Sequence, residues 1–423
     1  LSYDITDWLN ISGRVRVDNT HTKYEQKLYA SSNLTITEES TQGHYTISKP
    51  DETQTYADVL ANINKRFNDF SLVANVGASI VNNRYEDLSY RGPIREKGIP
   101  NVFNVFDLDN TKKKARQDEW QEQTQSVFAS VEVGWKSMLY LTLTGRNDWA
   151  SQLANSSTPC FFYPSVGLSG VISEMLTLPE FIDYMKVRGS FSSVGMPYPR
   201  NLTSPTYEYD EANQQWKPKT HYPIKDLKPE RTNSWELGLD MRLFKDFSLG
   251  FSWYLANTFN QTFDPKVSVS SGYSKIYLQT GYVRNSGVEL SLGYGHTWNN
   301  HLHWESNFTL SHNKNTIKDL VTSYIHPETG LPITQNRLDV GGLGKARFIL
   351  KKGGTLGDLY TQSDLKRDNS GMVEIDPSGA LTTEDNLPDI KLGSVFPKAN
   401  LAWNNRFEWR GISLSALFTA RIG

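Results

Sequence analysis

The amino-acid sequence predicts an all-β protein, and more specifically an antiparallel transmembrane β-barrel. Three observations predict this fold. Apolar and polar residues alternate over segments of about 9 to 11 residues, short and long connections alternate between those segments, and aromatic residues lie near the segment ends. A soluble β-sandwich would share only the first of these features, because it rarely carries several long loops at the same end of its strands.

The composition excludes two other classes of protein. The 44 Lys and Arg are balanced by 46 Asp and Glu, so the formal net charge is −2 and no basic surface for nucleic acid is indicated. No run of about 18 apolar residues occurs, which excludes helical membrane spans. The single cysteine, Cys160, cannot form an intrachain disulfide or a thiolate zinc site, and we expect no cofactor.

The predicted strands carry apolar residues at every second position, which places those residues on one face. Strand by strand, these residues are Leu9, Ile11, Val15 and Val17; Val127, Ala129, Val131, Val133 and Trp135; Leu139, Leu141 and Leu143; Trp235, Leu237, Leu239 and Met241; Phe247, Leu249, Phe251, Trp253 and Leu255; Val288, Leu290, Leu292 and Tyr294; Leu302, Trp304, Phe308 and Leu310; and Ile412, Leu414, Ala416 and Phe418. We count about 13 strands and expect the apolar faces to contact lipid.

The connections between the strands fall into two classes. Tight turns are predicted at Asn68-Asp69, Lys136-Ser137, Lys245-Asp246, Asn299-Asn300 and Arg410-Gly411, and a short helix-like link at 174–184. Long polar loops are predicted at 19–52, 85–119, 147–161, 194–231, 260–282 and 315–398. Outer-membrane barrels have short periplasmic turns and long extracellular loops, so this alternation favours a barrel.

Two further residue sets fit a barrel. Trp residues near the strand ends are predicted to form an interfacial girdle, or else to be ordinary strand aromatics: Trp8, Trp120, Trp135, Trp149, Trp235, Trp253, Trp298, Trp304, Trp403 and Trp409. Charged residues opposite the apolar faces are predicted to line a wet interior: Glu132, Arg146, Arg188, Glu236, Asp240, Arg242, Glu289 and Glu305.

The strand count predicts that residues 1–423 form only part of an outer-membrane barrel domain. Bacterial single-chain barrels normally have an even number of strands and leave no open edge in the membrane. The chain starts within a predicted strand and ends at ALFTARIG. We therefore expect closing strands to lie outside this sequence.

Several segments resemble the barrel of SusC/RagA-type TonB-dependent outer-membrane transporters. They are LTLTGRNDW (141–149), FFYPSVGLSG (161–170), KVRGSFSSVG (186–195), LKPERTNSWELGLDMRLF (227–244), VRNSGVELSL (283–292) and FTLSHNKNTIKDL (308–320), and the resemblance continues through 344–376 to the last strand. It implies a non-enzymatic importer of a bulky oligosaccharide or peptide in the outer membrane of a Gram-negative bacterium. It also implies a plugged barrel of about 22 strands, whose plug domain we expect outside this sequence, a SusD-like surface lipoprotein as a lid, and TonB as the periplasmic partner.

One loop carries the candidate ligand residues. Tyr207, Tyr209 and Trp216 lie among Pro, Asn and Gln residues, and such rings stack on sugar faces or on peptide side chains while amides bind polar groups. The alternative is that these rings pin the loop against its neighbours or a partner subunit. The sequence predicts no catalytic residue and no metal site.

Other candidate sites carry weaker signals. Asp148 with Arg146, or Asp183 with Glu180, is not specific enough for a hydrolase pair. His301 and His303 lack a third metal ligand, and the segment from Asp368 to Gly371 departs from calcium-loop spacing and is better explained by a turn. The remaining alternative function is a secreted all-β glycan-binding or glycan-acting protein with long loops.

Overall fold

The fold was analysed in a computed structural model, which describes residues 1–200, 202, 207–210, 215–218, 221–222, 228–263, 275–276, 278–298, 301–325 and 332–423. Almost every regular element in these ranges is a strand, as predicted. Helical structure within them consists of the α-helix α1 (Ile172–Met175) and two 3₁₀ turns, Val105–Asp107 and Ser151–Leu153. In this part of the chain, no helix combines the length and apolar character that crossing a membrane requires.

The strands are, in chain order, β1 (Ser2–Thr6), β2 (Leu9–His21), β3 (Tyr24–Leu28), β4 (His44–Phe67), β5 (Phe70–Pro93), β6 (Lys114–Trp135), β7 (Leu139–Ala150), β8 (Cys160–Val171), β9 (Ile182–Met196), β10 (Tyr207–Asp210), β11 (Gln215–Pro218), β12 (His221–Tyr222), β13 (Glu230–Leu243), β14 (Phe247–Phe263), β15 (Lys275–Ile276), β16 (Leu278–Trp298), β17 (Leu302–Asp319), β18 (Val321–Ile325), β19 (Pro332–Gln335), β20 (Arg337–Leu343), β21 (Ala346–Lys351), β22 (Asp358–Thr361), β23 (Asp364–Leu365), β24 (Thr383–Glu384), β25 (Ile390–Ser394), β26 (Ala399–Trp409) and β27 (Ile412–Ile422).

The chain forms two compact units. The first comprises residues 1–63, 75–129 and 147–151, and its strand order is β1-β2-β4-β5-β6, with β3 paired to β4. The second comprises the remaining residues, and its order is β4-β5-β6-β7-β8-β9-β13-β14-β16-β17-β26-β27. The 15 described strands in these orders exceed the predicted number of about 13, because short strands such as β3 lie in segments assigned to loops.

Apolar residues of the second unit pair with one another across successive strands. One row consists of Val187, Leu239, Phe251, Leu290, Leu310, Leu401 and Ala420, and the neighbouring row of Met185, Met241, Leu249, Leu292, Phe308, Trp403 and Phe418. Most of these side chains are half-buried or exposed, as lipid-facing residues of a barrel are. We call these rows the apolar belt. Leu239 on β13 and Leu249 on β14 both lie in this belt. The apolar residues of these two strands are therefore on one face of the hairpin, as their alternation predicted.

Aromatic rings border this belt where the hairpin turns lie. Ring centroids are 4.7 Å apart for Phe247 and Tyr294, 5.1 Å for Tyr294 and Trp304, and 5.6 Å for Trp304 and Phe407. Edge and stacked geometries at these distances are favourable for aromatic pairs. Because the rings lie between the apolar belt and the turns, they fit an interfacial girdle better than isolated strand aromatics.

The hairpin turns agree closely with those predicted. Trp409 pairs with Ile412, so Arg410-Gly411 is a two-residue turn as predicted. Leu243 pairs with Phe247, so the predicted Lys245-Asp246 turn also includes Phe244. The link at 174–184 contains the end of α1, as its helix-like pattern indicated. The predicted turn at Asn299-Asn300 lies outside the described residues.

The predicted long loops were too long, because strands continue into them. Strands β4 and β5 each have 24 residues, about twice the length needed to cross the hydrocarbon layer. Beyond the membrane, water bathes both faces of a strand, so backbone pairing continues while apolar alternation stops. The sequence pattern therefore predicts polar loops where these strand extensions lie. Likewise, 315–398 contains a four-stranded sheet in the order β20-β21-β22-β25.

The polar segments of the first unit pack around a small core of their own. Ile94 and Leu108 are each 1% exposed, and Ser40 Oγ donates to the Ile94 carbonyl at 2.7 Å. His44 is buried beside them, with Nε2 3.7 Å from Glu38 Oε1. Burial lowers the pKa of His44, the carboxylate of Glu38 opposes this shift, and Arg91 adds to it.

We expect this loop core to open more readily in acid. With a folded-state pKa below the unfolded value, His44 stays neutral in the core, whereas the open chain takes up a proton as pH falls below about 6.5. Stability is therefore retained above about pH 6.5 and lost below it. Hydrogen exchange of amides 40–45, 92 and 94–98 at about pH 7.5 and about pH 5.5, corrected for intrinsic rates, measures this loss. The variant H44Q has no imidazole to titrate, so an unchanged pH dependence in H44Q would contradict the assignment.

Candidate functional site

The face opposite the apolar belt in the second unit is a polar wall. Its rows follow the same strand pairing: Arg188, Gly238, Ser252, Glu289, Ser311, Asn400 and Arg421 in one, and Lys186, Asp240, Gly250, Ser291, Thr309, Ala402 and Thr419 in the next. Most of these side chains are small hydroxyl-bearing or charged groups. Many of them line a cavity with a volume of about 710 Å³.

Arg188 organises the charged part of this wall. Its Nη1 donates to Asp240 Oδ2 at 2.8 Å, and its Nη2 donates to Ser252 Oγ at 2.8 Å and to Glu236 Oε1 at 3.3 Å. One guanidinium thus joins three strands, and two carboxylates share one cation. Because the side chain of Arg188 is 39% exposed, solvent screens these ion pairs, and their main effect is to fix the positions of the acidic groups.

A glycine makes this arrangement possible. Gly238 lies directly opposite Arg188, and a Cβ at position 238 would lie 2.6 Å from Arg188 Nε. The guanidinium therefore lies over the Gly238 backbone and passes between Glu236 and Asp240. The sequence analysis predicted Arg188, Glu236, Asp240 and Glu289 as wall residues but missed Gly238 and Ser252. A lone glycine inside a strand pattern is the signal that indicates such a close approach.

The predicted ligand residues lie on a separate two-stranded sheet. Strand β10 pairs with β11, and the register places Tyr209 opposite Trp216 and Tyr207 opposite Pro218. Trp216 is 68% exposed. The backbone thus places the three aromatic positions in one hairpin. The sequence analysis had assigned them only to the same loop.

The weaker candidates have structural roles. Asp183 Oδ2 accepts a hydrogen bond from the backbone N–H of Lys245 at 2.6 Å and so braces a hairpin turn. Asp368 Oδ1 accepts from the backbone N–H groups of Ser370 and Met372 at 2.8 and 3.0 Å, as a turn residue does. His303 Nδ1 lies 2.9 Å from Thr297 Oγ1.

A folded module occupies residues 337–394 and contains two buried carboxylates. Asp389 pairs with Arg337 Nε at 2.7 Å and with Lys351 Nζ at 2.8 Å, and hydrogen bonds from Arg337 hold the pKa of this carboxyl well below its ordinary value against the effect of burial. Burial alone would raise the pKa of Asp358, but hydrogen bonds from Lys391 and Thr355 outweigh it, and the pKa is lowered.

Comparison with protein families identifies the barrel. Residues 1–371 match the family model described as "TonB dependent receptor-like, beta-barrel". The chain belongs to this family. It is therefore an outer-membrane β-barrel chain of the TonB-dependent receptor class, which confirms the fold, the family resemblance and the location predicted from the sequence.

Two curated relatives come from the bacterium Formosa agariphila. TonB-dependent receptor P39 is 23% identical over 339 residues, covering 76% of this chain and 30% of that protein. TonB-dependent receptor P26 is 24% identical over 345 residues, covering 76% of this chain and 34% of that protein. The chain thus spans about a third of the length of these relatives.

Among solved structures, the RagAB peptide transporter has a similar fold. It superposes with a TM-score of 0.76 at 17% identity, covering 99% of this chain and 46% of that chain. The RagAB peptide importer in its "closed-closed" state gives a TM-score of 0.73 at 16% identity, covering 100% of this chain and 46% of that chain. At this identity the likeness shows the fold alone.

Proposed function

We propose that this chain supplies barrel wall and loops to a SusC-like, TonB-dependent importer of a bulky oligosaccharide or peptide. The observation that carries the proposal is the fold match to RagAB over 99% of the chain. The apolar belt suits contact with lipid, and the polar wall suits a wet interior through which a polar solute passes. A SusD-like surface lipoprotein and TonB are the partners that we propose, and no enzymatic step is required.

Transport is tested by uptake in the native host. Cells carrying the full-length protein should accumulate a labelled oligosaccharide or peptide nutrient, and loss of TonB should abolish accumulation while surface binding of the nutrient remains. Nutrient capture that is independent of TonB, or recovery of the protein in the soluble secreted fraction, would instead favour the glycan-binding alternative.

Within this function, we propose that the β10–β11 hairpin contacts the ligand or the lid. Its three aromatic positions lie together in register, and Trp216 is exposed. Aromatic contacts contribute roughly 0.5 to 1.5 kcal/mol each beyond burial, so replacing Tyr207, Tyr209 and Trp216 together by Ala is expected to weaken uptake or lid docking at least about tenfold.

The measurement is uptake rate normalised to barrel abundance by immunoblot. F106A is the matched control, because Phe106 is 87% exposed but lies in the 3₁₀ turn Val105–Asp107, outside the hairpin. Normal uptake by the triple variant would remove the hairpin from the site. Loss of the barrel from the membrane would support the alternative that these rings only pack the loop.

A further inference from the structure

The module at 337–394 lies against the wall face of strands β16 and β17, and not against their lipid face. Pairing between these strands runs without a shift from the polar wall to the ends that carry the long connections, so residues at every second position share one face. The pairs on the wall face are Glu289–Ser311, Gly287–Asn313, Asn285–Asn315 and Val283–Ile317. Ile317 therefore lies about 20 Å beyond Ser311 along the strand, towards the long connections.

Apolar side chains of the module cover this end of the wall. Ile317 is 0% exposed and Val283 is 1% exposed. Both belong to one buried cluster with Leu338 and Leu350 of the module, and Leu356 packs against the same cluster. On a bare wet wall an isoleucine and a valine would face water, so their burial shows that the module is docked on the wall.

Hydrogen bonds fix the module in this position. The side chain of Asn315 is buried, its Oδ1 accepts from the backbone N–H of Leu356 at 2.9 Å, and its Nδ2 donates to Asn285 Oδ1 at 2.9 Å. The backbone of Ile317 donates to the Gly354 carbonyl and accepts from the Gly353 N–H, both at 2.8 Å. One amide side chain and one backbone position thus join the wall to the module.

A second attachment lies on β27. Arg421 belongs to the same wall row as Arg188 and Glu289, and its Nη2 donates to the carbonyl of Val395 at 2.8 Å, immediately after the module. Arg421 also lines the 710 Å³ cavity of the polar wall. The module is therefore held on β16 and β17 while its exit is held on β27 beside the cavity, and two attachments oppose rotation about a single hinge.

The module is large relative to the mouth of a barrel. A compact fold of about 60 residues is on the order of 25 Å across. Strands about 4.8 Å apart and tilted by about 40° give a barrel of about 22 strands, as the family resemblance implies, a diameter of about 44 Å. A module docked on the inner face of the wall would therefore occupy about half of the width of the opening.

We propose that the module at 337–394 is a fixed ledge, which projects from the wall into the mouth of the barrel and limits the size of the nutrient that reaches the polar wall. This role rests on the import function proposed above. Asn315 and Ile317 act as positioning residues, because they hold the ledge and need not touch the nutrient. Slender oligomers pass beside the ledge, whereas wider or branched ones meet it.

Distances between two spin labels test whether the ledge is fixed, independently of transport. The labels are attached at M372C on the module and at S291C on the wall, both of which are exposed positions, in full-length protein that carries C160S. In lipid vesicles the docked module should give one narrow distance distribution. A broad distribution in this protein would overturn the fixed ledge.

Substitutions at the docking residues should broaden the same distribution. N315A/I317A removes the amide that joins wall and module and leaves a cavity in the apolar cluster. N313A is the matched control, because Asn313 lies on the same wall face and donates to the same Asn285 Oδ1, at 3.2 Å, and it should leave the distribution narrow. If N315A/I317A stays as narrow as N313A, these residues do not hold the ledge, and the assignment is wrong.

Uptake of labelled peptides and oligosaccharides of graded width, in cells that carry the full-length protein, tests the size limit. Replacing 337–394 by a flexible Gly-Ser linker should raise the largest diameter that is imported about twofold, because the free width of the mouth roughly doubles. N315A/I317A, which keeps the whole module, should shift the limit in the same direction. Slender oligomers should enter all variants at similar rates per barrel, and heat-modifiable gel migration confirms that each barrel has folded.

The outcomes separate the ledge from the import function. An unchanged size limit in the linker variant would overturn the ledge, and so would equal loss of uptake at every width with normal barrel abundance, since the module would then bind nutrient or a partner. Absence of TonB-dependent uptake of any oligomer by the wild type would contradict the import function and with it the size limit. The spin-label distances would still decide whether the module is fixed on the wall.

Discussion

Arginine in place of Leu239 is expected to lower the free energy of unfolding in lipid by about 2 to 4 kcal/mol. Leu239 lies at the middle of the apolar belt, opposite Val187 on β9 and Phe251 on β14. A guanidinium at this position has no water and no acidic neighbour on its face of the sheet. It must either lose its hydration or distort the bilayer, and both are costly.

The matched control is arginine at Ser190. Ser190 lies opposite Glu236 on the polar wall and is exposed, so a new guanidinium there meets water and a carboxylate. We expect S190R to change stability by about 0.5 kcal/mol or less. Urea titration of the full-length protein refolded in lipid vesicles gives both values. Equal loss in L239R and S190R would contradict the orientation of the sheet.

The belt could be predicted from the sequence because it follows from one constraint. Lipid on one face and water on the other require strict alternation, and that alternation is visible at Leu237, Leu239 and Met241 without knowledge of the partner strands. Strand ends could not be predicted in this way. Where β4 and β5 extend beyond the membrane, both faces are wet and the constraint no longer applies.

The polar wall could be predicted in composition but not in geometry. Charge and position indicated that Arg188 and Asp240 face the interior. Their pairing depends on the register between β9 and β13, which brings together residues that are 52 apart in the sequence. The role of Gly238 depends on the same register, because it makes room only for the side chain directly opposite it.

The folded module at 337–394 is the largest structured region that the sequence did not predict, because the whole of 315–398 was assigned to a loop. Its strands are short, with four residues in β22 and five in β25, so no periodicity could develop. Buried polar contacts between distant residues, such as Lys391 with Asp358, lie in this module beside the buried side chains of Ile349 and Leu350. Leu338 and Leu350 of this module also pack with Val283 and Ile317, which connects it to β16 and β17.

Replacing Asp358 by Ala is expected to destabilise this module by about 2 to 3 kcal/mol. The Asp358 side chain is fully buried and accepts hydrogen bonds from Thr355 Oγ1 at 2.6 Å, from the Thr355 backbone N–H at 3.1 Å and from Lys391 Nζ at 2.8 Å. These contacts join β22 to β25 and to the segment that precedes β22. Alanine leaves the Thr355 backbone N–H without its acceptor and separates Lys391 from its counter-ion.

Hydrogen exchange of amides 355–361 and 390–394 in the full-length protein measures this effect, and protection should fall about thirtyfold to a hundredfold. Asp385 gives the matched control, because it also binds a lysine, with Lys345 Nζ at 2.7 Å, but its side chain is 53% exposed. In D385A, water replaces the lost contact, so protection in the same amides should change less than about threefold. If D358A and D385A exchange alike, burial of the carboxylate is not what holds the module together, and its order must come from the apolar contacts of Leu338 and Leu350.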